Sequence, residues 1–177
     1  MQKRKKRRNK KYISQIKWTS IITVIGLGIF ILLCSAFVKS IKNDEKKPSE
    51  VVINEVDGDA VIQDFLTPNE YSRPQTPLKK VKGIVVHYTA NPGTDAKANR
   101  DYFESLSVTH ETHVSSHYII GLDGTVIQCI PTNEIAYASN DRNKDTISIE
   151  CCHKKKSGKF TKETYDALVK LVATLIE

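Results

Sequence analysis

Val81-Lys-Gly-Ile-Val-Val-His-Tyr-Thr89 is the stretch on which the fold turns. Lys80 and Lys82 bracket its start, and Ile84, Val85 and Val86 then run without interruption into His87. A short β-branched run entered through a glycine reads as a buried strand with apolar side chains on both faces. A histidine at the exit of such a strand is held where the sheet ends and the loops begin, the usual place for catalytic and ligand-binding groups. Taken alone, the same histidine also reads as a core residue hydrogen-bonded to a neighbouring loop. Its surroundings decide between the two.

Downstream, Ala90-Asn-Pro-Gly93 has turn chemistry. Thr94 or Asp95 is placed to cap a helix over residues 96–105, in which Ala98, Tyr102 and Leu106 recur at helical spacing. Residues 117–121 and 125–130 are apolar runs joined through Asp123-Gly124, which predicts a hairpin with a type I′ turn. Thr146-Ile-Ser-Ile-Glu-Cys-Cys152 alternates and predicts another strand, with Glu150 on the same face as Ser148. Residues 154–159 form a basic, glycine-containing turn, and Thr161 caps a last helix. That helix carries Tyr165, Leu168, Val169, Val172, Leu175 and Ile176 as one apolar stripe. The stripe is still in progress at Glu177, with no Gly, Asn or Pro to stop it, so the expectation is a chain that ends inside its domain.

Upstream the character changes. Of the 27 Lys and Arg, nine lie in residues 1–17 with no acid among them. The remaining 18 against 20 Asp and Glu leave the rest of the chain at −2, so the formal +7 belongs to the tail. A near-neutral globular part gives no argument for nucleic acid, although the tail by itself has the composition of a nucleic-acid arm. Residues 18–38 follow at once, 21 residues without a charge, closed by Lys39. That length suffices for one helical crossing of a hydrocarbon core about 30 Å thick. The cationic flank predicts a cytoplasmic N-terminus, with everything after Lys39 outside the cell membrane. A cleaved signal peptide is the rival reading, since Cys34-Ser-Ala36 offers small residues, but the apolar run continues through Phe37 and Val38. Residues 39–78 read as a charged stalk followed by a proline-containing lead-in that packs on the domain, and the folded domain is expected over residues 79–177. Outside the apolar segment stand Cys129, Cys151 and Cys152, an odd number that fixes no disulfide framework.

Two candidate reactive groups sit on predicted strands, His87 and Glu150. A carboxylate near the end of a strand beside a metal-ligating histidine can take a proton from water and return one to a leaving amine. The rival for Glu150 is an ion pair with one of the many lysines. Two other constellations are weaker. His110, His113 and His117 have helical spacing in poor helix material, and the adjacent Cys152 and His153 diverge on a strand.

In order along the chain stand Lys82-Gly-Ile-Val-Val-His-Tyr-Thr89, Asn91-Pro-Gly93, Ser116-His-Tyr-Ile-Ile-Gly-Leu-Asp-Gly-Thr125, Ile127-Gln-Cys-Ile-Pro131, Glu134-Ile-Ala136 and Ile147-Ser-Ile-Glu150. Together with Ser157-Gly-Lys-Phe-Thr161 they resemble the zinc-dependent N-acetylmuramoyl-L-alanine amidases, a family similar also to peptidoglycan recognition proteins. The resemblance implies an α/β fold, a mixed β-sheet flanked by helices, here preceded by one transmembrane helix. It implies zinc as cofactor, His87 as its first ligand and Glu150 as general base and acid. His117 matches a histidine common in the family's second strand and receives no ligand role. The family's further His and Cys or Asp ligands come after its last helix, and the expectation is that they lie beyond Glu177. The reaction implied is hydrolysis of the amide between N-acetylmuramic acid and L-alanine in peptidoglycan. Two other readings stand beside it: a non-catalytic peptidoglycan-binding module, and a membrane protein whose basic tail binds nucleic acid or acidic lipid while the outer domain only scaffolds.

Overall fold

The computed structural model describes residues 52–56 and 58–176. The basic tail and the apolar segment of residues 18–38 lie outside them. Among the described residues no helix is long and apolar enough to cross a membrane.

In chain order the elements are β1 (Glu55–Val56), β2 (Asp59–Gln63), β3 (Gly83–Tyr88), α1 (Ala96–Thr109), β4 (Tyr118–Ile120), β5 (Val126–Gln128), a 3-10 turn (Asn140–Arg142), β6 (Thr146–Cys151) and α2 (Lys162–Ile176). The strands form one mixed sheet in the order β1-β2-β5-β4-β6-β3. β3 and β4 both run parallel to β6, β5 runs antiparallel to β4, and β2 runs parallel to β5. Helices lie on both faces, so the mixed, helix-flanked α/β architecture expected from the sequence is the observed one.

Strand alternation divides the core in two. On one face Tyr118, Ile120, Val126, Ile147, Ile149 and Cys151 pack with Leu171 of α2, and Ala167, Leu168, Val172 and Leu175 lie partly buried against them. On the other, Ile119 and Ile127 pack under Ala96 and Phe103 of α1 together with Leu66, Cys129 and Cys152. The neighbours Cys151 and Cys152 therefore point to opposite faces, and all three described cysteines are buried and free.

Four local expectations are corrected. β3 is an edge strand, not one buried on both faces: α2 packs chiefly on β1 and β4, leaving Val86 42% and Tyr88 53% exposed. The turn after β4 is not type I′. Gly124 has φ +86, Asp123 stays in the ordinary negative region, and Gly121 N–H bonds Thr125 O at 2.8 Å. That is a three-residue loop ending in a left-handed glycine. In α1 the inward face is Ala96, Asn99, Arg100, Phe103 and Leu106, while Tyr102 faces out. Apolar spacing misplaced it because Arg100 is buried with partners: Asp64 at 3.0 Å, Glu104 at 3.1 Å, and the carbonyls of Asp64 and Phe65. In α2 the stripe splits, with Leu168, Val172 and Leu175 turned inward and Tyr165, Val169 and Ile176 exposed.

The segment before β3 packs more tightly than its composition suggests. β2 supplies a sheet strand, and Leu66 and Leu78 are buried. Each such leucine contributes roughly 2 kcal/mol through apolar burial. Arg73 grips Glu134 with two hydrogen bonds, 2.8 and 2.9 Å, and also donates to Leu66 O at 2.8 Å. A planar guanidinium is the group that fits such a bidentate carboxylate contact.

Candidate active site

β3 and β6 run parallel and in register, with Val85 beside Ser148 and His87 beside Glu150. Side-by-side residues of parallel strands share a face, and neighbouring strands lie roughly 4.8 Å apart. His87 and Glu150 therefore stand together at the carboxyl ends of two strands, on the α1 face of the sheet. Sheets of this kind present reactive groups at that end. The two candidates that the sequence singled out are brought together.

The pair has distinct surroundings. Glu150 is mostly buried, and its Oε2 has no hydrogen-bond partner. Burial pushes its pKa up to about 7, because desolvation disfavours the ionised form and nothing on the protein compensates. An acid poised at that value can both accept and return a proton near neutral pH. Among the described residues no lysine forms the ion pair considered as the rival role for Glu150. His87 Nε2 lies 3.1 Å from Ser139 Oγ.

Ser139 is a site residue that sequence reasoning missed. It reaches His87 because the Asn143 side chain accepts from the backbone N–H of Ala138 at 3.1 Å and of Ser139 at 2.6 Å, folding the preceding chain into a tight corner. An Asn a few residues beyond a Ser is ordinary loop composition, so the only available signal was turn chemistry.

Behind the pair stands His117, 1% exposed. Its Nδ1 accepts from the backbone N–H of Ser148 at 3.0 Å and its Nε2–H donates to Glu134 O at 2.9 Å. Both ring nitrogens are occupied, which fixes the neutral tautomer. Burial lowers the pKa to about 4. His117 is thus a strut tying the entry of β4 to Ser148 of β6, two residues before Glu150.

The other constellations do not assemble. His110 and His113 stack on Tyr71 while His117 is buried elsewhere, so the three histidines do not converge. Cys152 receives a hydrogen bond from Asn99 on the α1 side, while His153 packs edge-on against Tyr88. Burial pushes the thiols of Cys151 and Cys152 up to about 12 and about 11, so neither is a nucleophile at neutral pH.

A catalytic zinc takes three protein ligands and an open position. His87 offers one imidazole. Among the described residues no group of three or more His, Cys, Asp and Glu side chains is arranged to hold a metal ion. The described donors around His87 therefore do not by themselves complete a catalytic zinc site.

Comparison with known proteins gives the same lineage from three directions. A family profile described as N-acetylmuramoyl-L-alanine amidase matches residues 77–177. The chain is similar to N-acetylmuramoyl-L-alanine amidase CwlL of Bacillus licheniformis, 38% identical over 129 residues, which cover 65% of this chain and 35% of that protein. It is also similar to N-acetylmuramoyl-L-alanine amidase BlyA of Bacillus subtilis (strain 168), 40% identical over 77 residues, covering 44% of this chain and 20% of the relative. Among solved structures it superposes on a mutant endolysin from Bacillus subtilis with TM-score 0.54 and 30% identity, covering 66% of this chain and 74% of that one. The chain thus spans about a third or less of these two curated relatives.

Proposed function

The chain belongs to the N-acetylmuramoyl-L-alanine amidase family, and on that premise we propose that it hydrolyses the amide between N-acetylmuramic acid and L-alanine in peptidoglycan. The observation that carries the reading is the in-register pairing of His87 with a half-buried Glu150 whose buried Oε2 has no hydrogen-bond partner among the described residues. In the proposed step Glu150 carboxylate takes a proton from water as its oxygen attacks the lactyl carbonyl. The C–N bond then breaks, and the proton passes from Glu150 to the leaving amine of L-alanine. A carboxyl with a pKa near the working pH suits both transfers. Ser139 orients the His87 ring. Zinc is the cofactor the family resemblance implies, with His87 as a ligand; because the described donors do not complete its set, no step here runs through it.

The test uses the full 177-residue chain and purified muropeptide, with and without added zinc, and reads the appearance of free L-alanine amino groups. Glu150→Gln should lower turnover at least about a hundredfold, the scale of lost general acid–base catalysis, and leave the fold intact. Full activity in that variant refutes the assignment. No cleavage by the parent chain, with retained binding to cell-wall sacculi, would favour the non-catalytic module.

The same proposal places the domain outside the cell, tethered by residues 18–38 with residues 1–17 in the cytoplasm. Its support is the uncharged 21-residue run behind a purely basic flank. Protease added to intact cells should remove the domain and spare the basic tail; the reverse pattern refutes the orientation.

A further inference from the structure

Glu150 Oε2 has company at the reactive end of the sheet. Two residues past His87, Thr89 Oγ1 is also buried and has no hydrogen-bond partner among the described residues. The parallel ladder reaches this far, since Thr89 N–H donates to Cys151 O at 3.1 Å. Thr89 therefore keeps strand orientation one residue past β3, and alternation puts its side chain on the face that carries His87. The chain leaves the sheet at the next residue, where Ala90 takes φ 53.

Continuing the register sets Thr89 beside Cys152 and diagonally across from Glu150, while His87 stands directly beside Glu150. Cys152 is engaged from the other side by Asn99 Nδ2 at 3.5 Å, and the same amide donates to Thr94 Oγ1 and Asp95 O. The polar groups at the entry of α1 are thus occupied with one another, and the Thr89 hydroxyl belongs to the Glu150 side of the face. Two residues along a strand is about 6.6 Å and the next strand is about 4.8 Å away, so the β-carbons of Thr89 and Glu150 are about 8 Å apart. The Glu150 side chain and one water, with hydrogen bonds of about 2.8 Å, span that distance together. Buried polar atoms without partners are rare in native proteins, and a water between two of them satisfies both.

We infer that Thr89 is a water-positioning residue: its hydroxyl and Glu150 Oε2 hold between them the water that attacks the lactyl carbonyl. The inference rests on the proposed hydrolysis, which supplies the reaction. A water whose two hydrogens are accepted by Thr89 Oγ1 and Glu150 Oε2 keeps its lone pairs free for the carbonyl carbon. Of the two acceptors only the carboxylate is a general base, so Glu150 receives the proton as the new C–O bond forms, and Thr89 stays neutral throughout. What Thr89 supplies is orientation, which an attacking group needs as much as it needs nearness.

The test joins crystallography and kinetics on the full chain, with Thr89→Val and Thr89→Ser beside the parent. Valine keeps the branched shape and loses the hydroxyl, whereas serine keeps the hydroxyl. Crystals grown in mild detergent with EDTA, which removes metal-held water from the comparison, should show in the parent one ordered water within about 3.2 Å of both Thr89 Oγ1 and Glu150 Oε2. Thr89→Val should show none there. On muropeptide with zinc at one fixed concentration, Thr89→Val should lower kcat about ten- to a hundredfold and move KM by no more than about twofold; Thr89→Ser should recover most of the loss. The parent crystal decides the matter even if Thr89→Val does not fold. A Thr89 hydroxyl bonded to a protein atom in that crystal, an unchanged kcat in Thr89→Val, or a loss that serine does not recover overturns the inference. A parent that cleaves muropeptide without the shared water sinks the positioning role alone. A parent that holds the shared water and cleaves nothing sinks the proposed activity and leaves the water site standing.

Discussion

Replacing Glu150 by Gln isolates the energetic signature of a buried carboxyl. In the fold, burial raises its pKa from 4.5 to about 7, whereas the unfolded chain keeps the ordinary value. Between those values the native state holds a proton that the unfolded chain has released, so stability falls as pH rises. Below about pH 4.5 both states are protonated and the effect vanishes; above about pH 7 both are ionised and the whole cost is present. Two and a half pK at ~1.36 kcal/mol each gives about 3 kcal/mol. Gln is neutral throughout and has no such slope. Urea unfolding of the full chain, in mild detergent with EDTA and followed by circular dichroism, gives the free-energy difference between variant and parent at each pH. That difference should move by about 3 kcal/mol in favour of the variant between pH ~4 and ~8, whatever its offset at the acid end. A flat difference refutes desolvation as the cause of the raised pKa, and removes the match to neutral-pH proton transfer.

The second buried titrating group has the opposite sign. His117 has its pKa lowered from 6.5 to about 4, so its contribution is full above pH ~6.5 and is lost as pH falls towards 4, again about 3 kcal/mol. The parent's stability should therefore be nearly level over this range, and His117→Gln should expose the falling slope of Glu150; a level curve in that variant counts against the cancellation. Arg73→Met strands the Glu134 carboxylate where its side chain is only 11% exposed, and should destabilise by roughly 3 kcal/mol. Pairing it with Glu134→Leu should restore most of the loss, and a double variant as unstable as the single would show that the pair is not the cause.

His87 and Glu150 were legible as candidates because each stands near the end of a strand-like run. Which strand lies beside which, and the register that pairs Gly83 with Thr146 and sets the two side by side, came only from the structure. What else escaped the sequence depended on polar burial. Asn99 and Arg100 face inward because loop carbonyls and carboxylates receive them, and a hydropathy pattern cannot register such partners. Asp59-Ala-Val-Ile-Gln63 was passed over as a strand because only Val61 in it is buried, against a charged flank. The Asp123-Gly124 turn was placed correctly and typed wrongly, since a left-handed glycine serves two loop classes equally. Ser139 and the Tyr71 stack join residues distant in sequence, 52 apart for His87 and Ser139 and 39 apart for His110 and Tyr71, and no local signal reports such meetings.

The seating of β2 against β5 bears on how this molecule can be handled. A recombinant fragment trimmed to the family match at residue 77 would discard Val61 and Leu66 from the two hydrophobic layers and open the flank of β5 as a raw sheet margin. Such a trimmed product is expected in inclusion bodies, whereas one begun ahead of Ile53, which is buried in the α2-side layer, keeps both layers closed.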